Sequence, residues 1–215
     1  MILALPWIPL LSAFLILFVP SNQQKFLKTI ALASSGACFA IVFWHFFHFD
    51  ASIIGPQFNH RFEWLPALGI GYQVGLDGIN MTLCLLHGLV SFAGAFVACS
   101  QKNRLKDYLF FYLILVGAIY GVFTVLDLFF LYLFYEMTLI PLYPMIGIWG
   151  SKNKEYGAMK LTIFITAGAV LALFGILLLY RAIGFESFDL IKIHEILKTN
   201  PLDLHSQKII AGLSL

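Results

Sequence analysis

Six stretches of this sequence are apolar for about the 20 residues needed to cross a bilayer, and nothing else in it constrains the fold as strongly. They run over 1–19, 29–49, 78–100, 108–126, 127–149 and 158–180. In hydrocarbon there is no water to pair with backbone N–H and C=O groups, so a spanning segment must satisfy them internally as a helix. The expected fold class is therefore all-α, a polytopic transmembrane helix bundle forming one membrane domain over 1–215. Only 11% of residues are charged and 60% are hydrophobic, whereas a soluble domain is about 25% charged. The lipid bilayer is the first partner this implies. A net charge of +2 without a basic cluster gives no electrostatic footprint for nucleic acid. No Lys or Arg precedes the first apolar run and no small-residue cleavage site follows it, so it reads as a retained span and not as a signal peptide.

The connecting segments set an orientation. Lys25 and Lys28 follow the first span, Lys102, Arg104 and Lys106 the third, and Lys152 and Lys154 the fifth. These loops share one side by alternation, and the positive-inside rule places that side in the cytoplasm, with the N-terminus outside. On the other side, 50–77 is too polar to span, and its Gly-rich, weakly alternating "FEWLPALGIGYQVGLDG" suggests a short hairpin. Residues 187–199 place Leu190, Ile193, Ile196 and Leu197 on one stripe, which predicts an amphipathic surface helix with Ser187 as its cap. A further apolar run begins near Ile209 and stops at Leu215, the expectation being a truncated seventh helix.

Within "LFFLYLFYEMTLIPLYPMIGIWG", residues 128–150, Glu136 is the single charged residue. A carboxylate in a membrane helix costs about 2.5 kcal/mol or more on insertion scales, and such residues mark ion or proton paths. The bland alternative is a neutral carboxyl hydrogen-bonded to a neighbouring helix. By helix rise Glu136 lies roughly 14 Å below the outer end of its span, near the midplane. Pro141 and Pro144 remove two backbone donors just behind it and are expected to loosen the helix towards a hydrated path. Lys160, in the first turn of the next span, either snorkels to the interface or stands at the mouth of a proton path; a direct ion pair with Glu136 is not expected, given their difference in depth.

Other polar residues carry weaker signals. His87 falls near the middle of the third span, where a lone histidine is more often packed than a relay. His45 and His48 share a helical face but lack further metal ligands. Asp77 and Asp127 sit at outer span ends, where a carboxylate reaches water and caps a helix. Cys38, Cys84 and Cys99 read as buried thiols without metal-site spacing. No dinucleotide fingerprint, P-loop, CxxC or haem-attachment motif is present, so neither a metal nor a cofactor is expected in this chain.

"LDLFFLYLFYEMTLIPLYPMIGIWG" at 126–150, "YGAMKLTIFITAGAVLAL" at 156–173, "GLDGIN" at 75–80 and "SFDL" at 187–190 together resemble subunit M, or chain 4, of proton-translocating NADH:quinone oxidoreductase, respiratory complex I. The resemblance covers essentially the whole chain and is strongest around Glu136. It implies an antiporter-like subunit of the membrane arm, built in the family from two inverted five-helix repeats; this sequence corresponds to the N-terminal part, with a truncated first repeat. It also implies that Glu136 matches the family's fifth-helix proton-relay carboxylate and Lys160 its sixth-helix lysine. The family's relay lysine on a broken seventh helix lies beyond Leu215. NADH, FMN, iron–sulfur clusters and quinone would be bound by partner subunits, and the setting would be a bacterial inner membrane. Two other readings stand beside this one: a subunit of a multi-subunit cation/proton antiporter or membrane-bound hydrogenase, and an inactive structural fragment.

Overall fold

The computed structural model describes residues 1–53, 55–184 and 187–214. Ile54, Phe185, Glu186 and Leu215 lie outside the described residues.

Five helices are long and apolar enough to cross a membrane: α2 (Gln24–Phe47), α3 (Gly78–Cys99), α4 (Leu105–Thr124), α5 (Leu128–Trp149) and α6 (Lys154–Ala182). The first apolar stretch differs from the full span expected over 1–19. It makes a 3-10 turn, Ile2–Ala4, and then a helix α1 of 12 residues, Trp7–Phe18. Pro6, which has no N–H to donate, falls at the junction, and Val19, before Pro20, is already extended. At 1.5 Å per residue the whole apolar stretch Ile2–Phe18 is roughly 25 Å long, against a hydrocarbon core of about 30 Å. The end of the chain differs in the other direction: α8 (Leu204–Ser214) starts before Ile209.

Helices α1–α4 build the core. Leu27, Val42, Met81, Leu109, Leu113 and Tyr120 are fully buried within it. Helix α4 has 44% of its most apolar window buried, whereas α5 and α6 have 11% each. Helices α5 and α6 therefore present most of their apolar surface outwards. Pro141 and Pro144 do not interrupt α5, which runs unbroken from Leu128 to Trp149.

The two ends of the bundle are built differently. At one, the basic loops meet: Trp149 Nε1 donates to Asn103 O (2.8 Å) and Lys106 Nζ to Leu17 O (2.9 Å). At the other, β1 (Gln57–Leu65) and β2 (Ile70–Leu76) form an antiparallel hairpin that turns through Gly69, whose φ of 67° suits a residue without Cβ. Every residue of β2 is buried, while β1 is largely exposed. Before the hairpin, the N–H and hydroxyl of Ser52 both donate to Asp50, holding its carboxyl below the ordinary range.

The segment joining α4 to α5 extends this sheet. Leu126 N–H donates to Gln73 O (2.8 Å), Leu190 N–H to Leu126 O (3.0 Å) and Leu128 N–H to Phe188 O (2.9 Å). Residues 125–127 thus run between β2 and the 187–190 segment. The amphipathic helix follows as α7 (Leu190–Thr199) with Ile193 buried, but its cap is Asp189, which accepts from Ile191 N–H (2.9 Å). Ser187 instead accepts from Asp189 N–H (3.1 Å), one step earlier in the same turn.

Candidate intramembrane carboxylate site

The position of Glu136 follows from how α5 is seated. Phe134, 2% exposed, packs on Gly121 of α4 so closely that a Cβ at residue 121 would lie 2.3 Å from the ring. Two residues on, the helix has turned by roughly 200°. Glu136 accordingly leaves α5 on the side opposite the α4 contact and is half-buried. Tyr132, one turn earlier, lies on the same side of α5, close to its carboxylate. Pro141 and Pro144 have no N–H, so the carbonyls of Met137 and Ile140 lose their usual helical donors. The site therefore combines an acid, a phenol and two backbone acceptors within about three turns of one helix.

A cavity of about 530 Å³ opens beside it, between α5, α6 and α8, with Tyr132 and Tyr135 in its wall opposite Gly168 and Ala172. Tyr132 connects the two features, since it lines the cavity and stands one turn from Glu136.

Lys160 is exposed on α6, its ammonium 5.9 Å from the ring centroid of Tyr156. Among the described residues the ion pairs are Arg61–Asp189 and Arg104–Asp107, both 2.8 Å, and neither Glu136 nor Lys160 takes part. His87 is packed between α3 and α4, with Nε2 3.2 Å from Val116 O and its ring edge-on to Tyr120. Bonding to that carbonyl requires the proton on Nε2. His45 and His48 bond separately to carbonyls of their own helix, Ile41 O (2.7 Å) and Trp44 O (2.8 Å). Among the described residues no three His, Cys, Asp or Glu side chains gather as metal ligands would.

Asp77 caps α3 through Asn80 N–H (2.7 Å), and Asp127 caps α5 through Phe129 and Phe130 N–H (3.0 and 3.3 Å). Asp127 does not reach water, contrary to the sequence expectation: it is 1% exposed, and its second oxygen accepts from Gly71 N–H (3.1 Å). Tyr132 had a readable signal in its spacing of one turn from Glu136. The Arg61–Asp189 pair joins residues 128 apart, for which the sequence offers none.

A bundle of apolar helices with an acid inside one of them and a hairpin closing one end is the architecture of a polytopic membrane subunit. Residues 125–214, which include Glu136 and Lys160, match the family model described as "NADH:quinone oxidoreductase/Mrp antiporter, TM". It is 34% identical over 208 residues to NAD(P)H-quinone oxidoreductase chain 4 2 of Trichodesmium erythraeum, covering 92% of this chain and 36% of that protein. It is also 34% identical over 212 residues to NADH-quinone oxidoreductase subunit M of Rickettsia bellii, covering 95% and 42%. The chain thus spans about two fifths of the length of these relatives. The fold is shared with a chain of respiratory complex I from Thermus thermophilus (TM-score 0.80, 23% identity, 100% of this chain and 43% of that one). It is shared too with a chain of the Mrp complex from Dietzia (TM-score 0.79, 18% identity, 99% and 39%).

Proposed function

We propose that this chain is part of a proton-translocating, antiporter-like membrane subunit of NADH:quinone oxidoreductase, in a bacterial inner membrane with its basic loops in the cytoplasm. The observation that carries the reading is Glu136, which is half-buried in α5, one turn from Tyr132 and turned away from the α4 contact. A titratable group in that setting is suited to take up and release a proton when a neighbouring charge moves, because charges at close quarters change each other's proton affinity. The neighbouring charge is a lysine that the resemblance places on a seventh helix. Lys160, exposed at the basic end, serves as the mouth of the proton path. Oxidation of NADH and reduction of quinone belong to partner subunits that hold FMN and iron–sulfur clusters, and this chain contacts other membrane-arm subunits. A second reading, a subunit of a multi-subunit cation/proton antiporter, is supported by the fold shared with the Mrp chain.

The test is Glu136→Gln in the full-length subunit within its complex. Glutamine keeps the shape and much of the hydrogen bonding but cannot titrate. The expected result is a normal amount of assembled complex, normal NADH oxidation by artificial acceptors, and proton pumping into inverted vesicles reduced by about tenfold or more, the factor that corresponds to about 1.36 kcal/mol. Normal pumping by an assembled Glu136→Gln complex overturns the relay role.

A further inference from the structure

A second set of buried polar groups lies well away from Glu136, inside the α2–α3–α4 core. Ser34 and Ser35 on α2 are 5% and 0% exposed, Ser91 on α3 is 4%, and Tyr120 on α4 is 0%. The Ser34, Ser35 and Tyr120 hydroxyls are sealed from solvent without a hydrogen-bond partner among the described residues. Their neighbours are polar. Ser91 Oγ stands beside the Tyr120 hydroxyl, and Ser35 Oγ beside that of Tyr112, yet neither approach makes an aligned hydrogen bond for the unpaired group. Tyr112 donates to Ser91 O, and Ser91 Oγ donates to Gly88 O (3.2 Å). The Tyr120, Tyr112 and Ser35 hydroxyls therefore converge on one turn of α3, Gly88–Ser91.

The glycines on that helix explain how two tyrosines fit there. A Cβ at Gly88 would lie 3.0 Å from the Tyr120 hydroxyl, and a Cβ at Gly94 3.1 Å from the Tyr112 hydroxyl. The backbone of α3 is left bare where the phenols arrive. Leucine-like packing would have been available to an inert core, and a buried hydroxyl without a partner carries a desolvation penalty. Such groups are ordinarily satisfied by internal water, which takes about 2–4 polar partners.

We infer that this turn of α3 is a binding site for ordered internal water, held by the buried hydroxyls of Tyr120, Ser91 and Ser35. The site is separate from the Glu136 helix, since Phe134 and Gly121 close the α4–α5 contact between them. It makes the α2–α4 core a hydrated one, held by hydrogen bonds as well as by apolar packing.

The test is X-ray hydroxyl-radical footprinting of the assembled complex in membranes, read residue by residue by mass spectrometry. Radicals generated from bound water oxidise the side chains touching it. Phe134 is the internal control, a ring equally buried at 2% exposure. Tyr120 is expected to be oxidised several times faster than Phe134, and Ser91→Ala to bring its rate down towards that of Phe134. A wild-type Tyr120 that reacts no faster than Phe134 overturns the inference. So does a Tyr120 rate unchanged by Ser91→Ala in an assembled complex.

Discussion

Asp127 and Asp189 face each other in an antiparallel bridge, and each of the two carboxylates caps the helix that follows it. Asp127 holds the start of α5 to the β2 strand through Gly71 N–H, and Asp189 holds the start of α7 while pairing with Arg61 of β1. The helix that carries Glu136 is thereby fixed at one end to the hairpin and to the segment leading into α7. Replacing Asp127 with alanine removes a cap, typically about 1 kcal/mol, and leaves a buried Gly71 N–H unpaired, about 1–3 kcal/mol more. Asp127→Ala is expected to lower the fraction of complex that survives a heat challenge of the membranes. Asp127→Asn, which keeps acceptor oxygen, is expected to be milder. Equal damage from both substitutions would contradict the cap-and-tether role and point to the charge itself.

Close approach of α4 and α5 rests on Gly121. An added Cβ would overlap the Phe134 ring, and overpacking of this kind costs about 1–3 kcal/mol. Gly121→Ala is expected to reduce assembled subunit on a blot, and Gly121→Ala with Phe134→Leu to recover part of it. Gly168→Ala is the control, because nothing lies within 4 Å of the added atom. An effect of Gly168→Ala as large as that of Gly121→Ala would show that the assay reports glycine loss in general and not this contact.

Orientation has a direct test. Trp149 and Asn103 bring the 100–104 and 150–153 loops together at the basic end, opposite the hairpin. With Cys38, Cys84 and Cys99 replaced, Arg104→Cys is expected to resist an impermeant thiol reagent added outside intact cells and to react in inverted vesicles. Modification from outside would reverse the topology.

How much of this was readable in advance depended on range. The spans α2–α6 rest on local runs of apolar residues, and their hydropathy alone locates them. The caps Asp77 and Asp127 are equally local, each standing at the N-cap of its span. The first apolar helical stretch, Ile2–Phe18, is shorter than its hydropathy suggests because Val19, before Pro20, is extended. Glu136 stood out as a lone charge, but which way it faces is decided by Phe134 meeting Gly121 from another helix, a contact no spacing along the chain encodes. The same limit hid the burial of Asp127, whose partner Gly71 lies 56 residues away.

Tyr132 gives the sharpest test of the carboxylate site. Tyr132→Phe removes one hydroxyl and leaves the ring and the acid in place. A hydrogen bond from this hydroxyl to the Glu136 carboxylate during turnover would contribute about 1.5–3 kcal/mol, so Tyr132→Phe is expected to slow proton pumping by about tenfold, which is about 1.36 kcal/mol. The substitution is expected to leave assembly unchanged, since the hydroxyl contributes little to packing. The stronger readout is the double variant. If Tyr132 acts only by holding the Glu136 carboxylate, then Tyr132→Phe with Glu136→Gln should pump no worse than Glu136→Gln alone, because residues in one network are not additive. A double variant that loses both factors independently would give Tyr132 a task of its own in the neighbouring cavity, whose wall it also forms.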